Sequence, residues 1–546
     1  MIKISKGILF FLFIVFILNV DAQNLVPDQK QDSLILDIVI LNGKTQIKNL
    51  DLFPKKAEIE SLKLEISLTN FKLNKNFVQN PVRIEVERQI NGKTERIEIA
   101  RFFLPWMEDE TKLDSLFVFD ISPYSLLFKQ AVDVQIETNY IIQPLEMNLH
   151  FNWKIGVPPA QASKIINLWS SDITGYAYGN KANPINQQIK NKTIVISENV
   201  KYALLKIYLS GNGMDNLMPN EAECSKFYFL NINEHTIAKR PIWRDDCSLN
   251  ALFPQEGAWT YSRANWCPGQ TLREFNHFML LGSDTTLNID LQIQETKKEN
   301  PLPKNYVLSA NLILFEKAEF KNDAALVEIL APNKSLLHKR YNPICSSPVI
   351  RVRNTGSDTL RSVLIQYGLD NKTDNRYRWK GELAFMEEEI VYLPPLNWYF
   401  FDQKNKPKEF TVSVSAVNNL ADEYPENNQL STILNLAPIY PNKISIQFSA
   451  PQAASDNIIE LVDDMGIPLF EASEFINDSI YNFDLDLDPG CYEFIVYDQK
   501  GDGIHPSVNK AKKGSLKIFN TENQLELKDF ELNFGSEIRQ QFMILK

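Results

Sequence analysis

The stretch Ile242–Gln270, IWRDDCSLNALFPQEGAWTYSRANWCPGQ, decides how the rest of the chain is read. Two cysteines, Cys247 and Cys267, bracket the turn formers Asn250, Pro254 and Gly257. Three of the eight tryptophans (Trp243, Trp259, Trp266) and two arginines (Arg244, Arg263) crowd the same segment. Oxidation of the two cysteines closes a loop of about 20 residues and stabilises it by roughly 3 kcal/mol. The adjacent Asp245 and Asp246 resemble a carboxylate pair, but neighbours on a strand point to opposite faces, which argues against a shared site.

Working outward, the first residues set the compartment. Lys3 and Lys6 precede the apolar run Ile8–Leu18, which is followed by Val20-Asp21-Ala22 and Gln23. A basic end, a short apolar core and small residues before the cut describe a secretory signal peptide over residues 1–22. The run falls short of the roughly 20 residues a bilayer span takes. No cysteine follows it closely, which argues against a lipid anchor there. The expected mature chain begins near Gln23, has no membrane span and no further sorting tail, and is secreted, periplasmic or held at the cell surface. A net charge of −11 disfavours nucleic acid and anionic membrane as partners. Five cysteines in 546 residues allow disulfides but not a disulfide scaffold. Beyond the loop pair, Cys224, Cys345 and Cys491 leave at least one thiol free or paired with another chain.

Strand signals recur at Ile35–Leu41, Lys63–Leu68, Val82–Val86, Val132–Glu137, Ala203–Leu209 and Leu287–Ile293, separated by Asn, Gly, Pro and Asp. Helical periodicity is confined to short pieces such as Ser122–Gln130. The fold class is therefore all-β, with stacked β-sandwiches. Composition places boundaries at Gly156–Pro159, after the strand Leu312–Phe315, and at Pro438–Pro441. The expected units are 23–160, 161–320, an immunoglobulin-like module at 326–438 and a last β-sandwich at 441–546.

The anchor stretch resembles the peptide-N-glycosidase F family. The matching residues are Cys247, Asn250, Pro254, Gln255, Gly257, Trp259, Arg263, Ala264, Trp266, Cys267, Pro268 and Gly269, with support from Ala100-Arg101-Phe102, Pro105, Ile136-Glu137-Thr138, Ser210-Gly211 and Cys224. The resemblance covers roughly residues 50–320 and implies two packed eight-stranded jelly rolls with the active site in the cleft between them. It implies an amidase that frees N-linked glycans from asparagine by carboxylate chemistry, without metal or covalent nucleophile. Burial tunes such carboxylates toward the working pH.

Carried over position by position, the family's Trp-Asp pair falls on Val78-Gln79, and Gln79 cannot take a proton from water. The acid two residues after Cys224 becomes Lys226, and the cysteine four residues after Cys224 becomes Tyr228. The cleft glutamate is kept as Glu137, although Asn139 replaces the tryptophan after it. Arg263 is kept. Trp259 and Trp266 are read either as sugar platforms beside Arg263 or as packing residues. Related jelly-roll pairs occur in copper-dependent monooxygenases. The five histidines (His150, His235, His277, His338, His505) form no His-x-His pair, which speaks against copper.

The expectation is an exported family relative with impaired chemistry, acting as a glycan- or protein-binding scaffold. The rival is an active amidase using Glu137. No cofactor is implied, and the oligomeric state is open. Two acidic features stand outside this resemblance. The run Glu387-Glu388-Glu389 reads as a solvated edge. The turn Asp498-Gln499-Lys500-Gly501-Asp502-Gly503 offers Asp498 and Asp502 either as a plain turn or as weak calcium candidates.

Overall fold

Among the described residues, those that alternate between core and solvent along each strand build eight sheets, and these sandwich four hydrophobic cores. The computed structural model describes residues 20–21, 33–69, 81–90, 92–105, 117–139, 144–212, 226–250, 264–282, 285–295, 304–370, 372–396, 409–501, 503–504, 514–532 and 534–545. The signal segment up to residue 19 lies outside them. So do Gln79, Cys224, Trp259, Arg263 and Asp502.

In the first unit, Ser33–Ile40, Leu145–Ile155, Ile59–Thr69 and Phe117–Asp120 form one sheet. Lys44–Leu50, Val132–Thr138, Pro81–Ile90 and Lys93–Phe103 form the facing one, with the two-residue strand Val20–Asp21 added at its edge. Leu145–Ile155 shows the expected period of two, its alternate side chains buried until the last two residues. Pro81–Ile90 does not. Its first six residues are all buried, because the second unit covers the outer face. The segment Ser122–Lys129 is a 3-10 helix that lays Tyr124, Leu127 and Phe128 into the core.

The second unit pairs the sheet of Ala160–Ser170, Lys304–Ala318, Tyr202–Asn212 and Phe275–Leu280 with that of Lys192–Val195, Thr286–Ile293, Phe227–Ile232 and His235–Pro241. The third is a three-plus-four-stranded sandwich, the count of an immunoglobulin constant-type domain. The fourth packs a five-stranded on a four-stranded sheet.

The units are tied together by named contacts. Cys247 and Cys267 are bonded, with Cα atoms 5.3 Å apart. Cys345 and Cys491 are also bonded, Cα to Cα 5.7 Å, joining the third unit to the fourth. That pairing takes two of the three cysteines left open by the sequence; the third, Cys224, lies outside the described residues. The run after Cys267 adds to the edge strand of the first unit: Phe103 N–H donates to Gln270 O (2.9 Å) and Leu272 N–H to Arg101 O (2.8 Å). Arg340 of the third unit donates to Ser248 O (3.1 Å) and Asn250 O (3.2 Å) in the anchor stretch and to Phe534 O (3.0 Å) in the fourth unit. Glu387, Glu388 and Glu389 are all exposed, as a solvated edge is; Glu388 also accepts from Arg353 Nε at 2.6 Å, and Arg353 reaches Asp120 of the first unit at 3.1 Å.

Candidate functional site: a charged grid between the jelly rolls

Three neighbouring strands of the first unit place five charged side chains in register on the face that the second unit covers. Arg83 lies between Glu137 and Arg101 across the strands, and Glu85 lies between Gln135 and Glu98. A β-bulge between Ile84 and Glu85 puts an extra residue, Ile99, into the partner strand. Glu98 and Arg101 are an odd number of residues apart, so a regular strand would point them to opposite faces. The bulge turns both to the same side.

The result is a fully buried bidentate pair. Arg101 Nε and Nη2 donate to the two oxygens of Glu98, each at 2.7 Å. Arg101 Nη1 continues into the second unit, to Ser210 Oγ (2.9 Å) and Val307 O (3.0 Å). Ser309 Oγ donates to Glu98 Oε2 at 2.7 Å, and Asn311 Nδ2 donates to Glu98 O at 3.0 Å. Tyr124 and Tyr208 meet hydroxyl to hydroxyl at 3.2 Å beside this group. Burial strengthens each of these bonds and makes the loss of any partner costly.

Glu85 sits less comfortably. Its nearest cation, Arg83, is 3.5 Å away. Burial pushes the Glu85 carboxyl up to about 7, against the pull of Arg83 and with the repulsion of Glu98. Glu137 lies at the mouth of the grid, with its side chain 23% exposed, and Arg83 Nη2 donates to its Oε2 at 2.9 Å. Arg83 Nη1 donates to Ser171 O at 2.7 Å. The next residue, Asp172, accepts from Thr174 Oγ1 (2.6 Å) and from the Thr174 and Gly175 amides (2.9 and 3.0 Å). The Thr174 hydroxyl first, and the amides and Arg83 besides, hold its carboxyl below the usual range. Tyr176 flanks it, half-buried.

Of the residues singled out from sequence, Glu137 reaches this site. Trp266 does not face it. It is 1% exposed and packs on Phe103 with ring centroids 5.8 Å apart, inside the seam between the units. Lys226 is half-buried, and its carbonyl accepts the Ile242 amide at 2.6 Å. Tyr228 is buried, with its hydroxyl 2.8 Å from His277 Nε2, and burial drives His277 down to about 4. Asp245 and Asp246 lie on a loop, not a strand, and both face Arg273 (3.6 and 3.0 Å). Asp498 accepts the Gly501 amide at 2.5 Å with one oxygen. Among the described residues no three His, Cys, Asp or Glu side chains converge as a metal site.

Arg83, Glu85, Glu98 and Asp172 were not singled out by sequence. The signal was present in Arg83-Ile84-Glu85, where charges alternate with apolar residues, but that pattern normally marks a solvated face. A cavity of about 1170 Å3 lies elsewhere, at the junction of the first three units, with Lys206, Glu274, Asp120 and Arg353 in its wall. It does not include Glu137.

Tandem jelly rolls with a charged seam, followed by two more sandwiches, define a multi-domain β-sandwich protein. Within it, residues 180–313 match the family described as peptide-N-glycosidase F, C terminal. Among solved structures the chain is similar to PNGase F, a glycosylasparaginase from Flavobacterium meningosepticum: 20% identity over 52% of this chain and 96% of that one, TM-score 0.44. It is similar also to PNGF-II, at 12% identity over 52% of this chain and 66% of that one, TM-score 0.40. No curated protein sequence matches the chain.

Proposed function

We propose that this exported protein binds N-linked glycans of glycoproteins at the Glu137–Arg83 mouth without cleaving them. The observation that carries the reading is the ion pair itself. The cleft carboxylate is held by Arg83 at 2.9 Å, and the position of a second family acid holds Lys226. The grid acid that burial pushes up to about 7, Glu85, is 1% exposed and out of reach of substrate. Glu137 Oε1 makes no hydrogen bond among the described residues, so it is free to accept from sugar hydroxyls. The half-buried Tyr176 offers a ring near Asp172.

A hydrolytic reading draws support from Asp172, a second carboxylate near Arg83. Incubation with a denatured N-glycoprotein separates the two readings. Binding is expected to weaken at least tenfold in Glu137→Gln, with no glycan released by the wild-type protein. Glycan release by the wild type that disappears in Glu137→Gln would overturn the non-hydrolytic reading.

A further inference from the structure

The third unit buries a group of oxygens with no matching donors. Asp323, at the start of this unit, is 1% exposed. Its carboxylate is in hydrogen-bond contact with that of Asp422 and lies beside the Thr355 hydroxyl. Asp323 Oδ1, Thr355 Oγ1 and Asn427 Oδ1 nevertheless make no well-formed hydrogen bond. Asp323 Oδ2 accepts from Asn427 Nδ2 at 3.1 Å. An amide can turn over, and doing so would bring the Asn427 carbonyl oxygen into the same group. Asp422 is oriented from outside, accepting the Ala324 amide (3.0 Å) and the Tyr424 amide (2.8 Å).

Among the described residues no lysine or arginine lies within 4 Å of either carboxylate; the nearby Lys321 ammonium instead faces Asp358, at 3.9 Å. Two carboxylates in contact away from solvent take either a shared proton or a counter-charge, and among the described residues no cationic side chain within 4 Å supplies the charge. We propose that Asp323, Asp422, Thr355 and Asn427 bind a calcium ion. Two carboxylates, a hydroxyl and an amide carbonyl are hard oxygen donors, and their irregular origin from three separate loops suits calcium's flexible coordination better than magnesium's strict octahedron.

The placement gives the ion a task. Asp422 and Asn427 bracket the segment that docks the third unit on the first. Within it, Tyr424 OH donates to Glu60 Oε2 (3.0 Å) and accepts the Val157 amide (3.2 Å). Glu426 O accepts from Lys154 Nζ at 2.7 Å, and the Tyr424 ring stacks on Phe320 at 4.8 Å. An ion held at both ends of this segment stiffens the joint between the units.

The test uses the full mature chain stripped by a chelator and titrated with calcium chloride, read by calorimetry and by thermal melting. Expected are one saturable site and a rise of several degrees in melting temperature, both lost in the Asp323→Asn/Asp422→Asn double variant and kept in Asp498→Asn. Magnesium at the same concentration is expected to leave the melt unchanged. Absence of binding at millimolar calcium, a response that survives in the double variant, or an equal response to magnesium would each overturn the proposal. Should the double variant fail to fold, Thr355→Val serves instead. Its calcium affinity is expected to fall about tenfold, and an unchanged affinity counts against the site.

Discussion

Two buried polar clusters in this chain solve the same problem in opposite ways. The grid between the jelly rolls supplies its own cations: Arg101 grips Glu98 with both ends of its guanidinium, and Arg83 reaches Glu137. The Asp323–Asp422 cluster has oxygens and an amide but no cationic side chain within 4 Å among the described residues. Glu85 and Asp323 are both pushed up to about 7, chiefly by burial, yet the first is opposed by a neighbouring arginine and the second is aggravated by a neighbouring acid. The difference teaches how to read a buried carboxylate. With a guanidinium beside it, it is part of the scaffold; without one, it is an unfinished site.

The sharpest way to break the grid is Arg101→Ala. It leaves Glu98 fully buried without its partner, and a loss of about 3–5 kcal/mol is expected in equilibrium urea unfolding. Arg101→Lys should recover only part of that, because one ammonium cannot make the two parallel bonds.

The next test uses pH. Glu85 has a folded pKa raised from 4.5 to about 7, so its ionisation works against folding. Below pH 4.5 it is protonated in both states and has no effect. As pH climbs toward 7 the unfolded chain ionises first, and stability falls by ~3 kcal/mol before levelling off. In Glu85→Gln this decline between pH 4.5 and 7 should vanish from the denaturation midpoints. A decline of the same size in the variant would show that Glu85 is not its source.

The smallest effects come from a matched pair of hydroxyl deletions. Ser309→Ala removes a 2.7 Å bond to Glu98 and should cost about 2 kcal/mol. Thr355→Val removes a hydroxyl that makes no well-formed bond, and in calcium-free buffer should change stability by less than about 0.5 kcal/mol. Equal losses in the two variants would erase the contrast between the clusters.

The strands were legible because their apolar period survives in the sequence. Val82–Val86, Val132–Glu137 and Leu287–Ile293 all lie within observed strands. What a single strand cannot show is whether its polar face meets water or another domain. Arg83 and Glu85 look solvated on paper and are buried because the second jelly roll covers them. The turn of Glu98 and Arg101 to one side depends on a bulge, which depends on the partner strand. Asp323 and Asp422 are brought together by the sandwich, with nothing local to announce it. Glu137 was found through family resemblance, and its pairing with Arg83 only through the register of two strands. The anchor stretch named the fold of the second unit, while its Ser248 and Asn250 carbonyls serve a purpose its sequence did not suggest, as seats for Arg340.

Arg340 and the Cys345–Cys491 bond together decide how the molecule carries mechanical load. A pull applied at the C-terminal sandwich has a second route beside the linker around Pro438–Pro441. It crosses the disulfide into the third unit and passes through Arg340 from the Phe534 carbonyl to the loop closed by Cys247 and Cys267. The linker is held as well, since Ile439–Tyr440 pairs with Met543 and Ile544 of the last strand, so the third and fourth units are joined by a covalent bond, a strand pairing and the Arg340 contacts together.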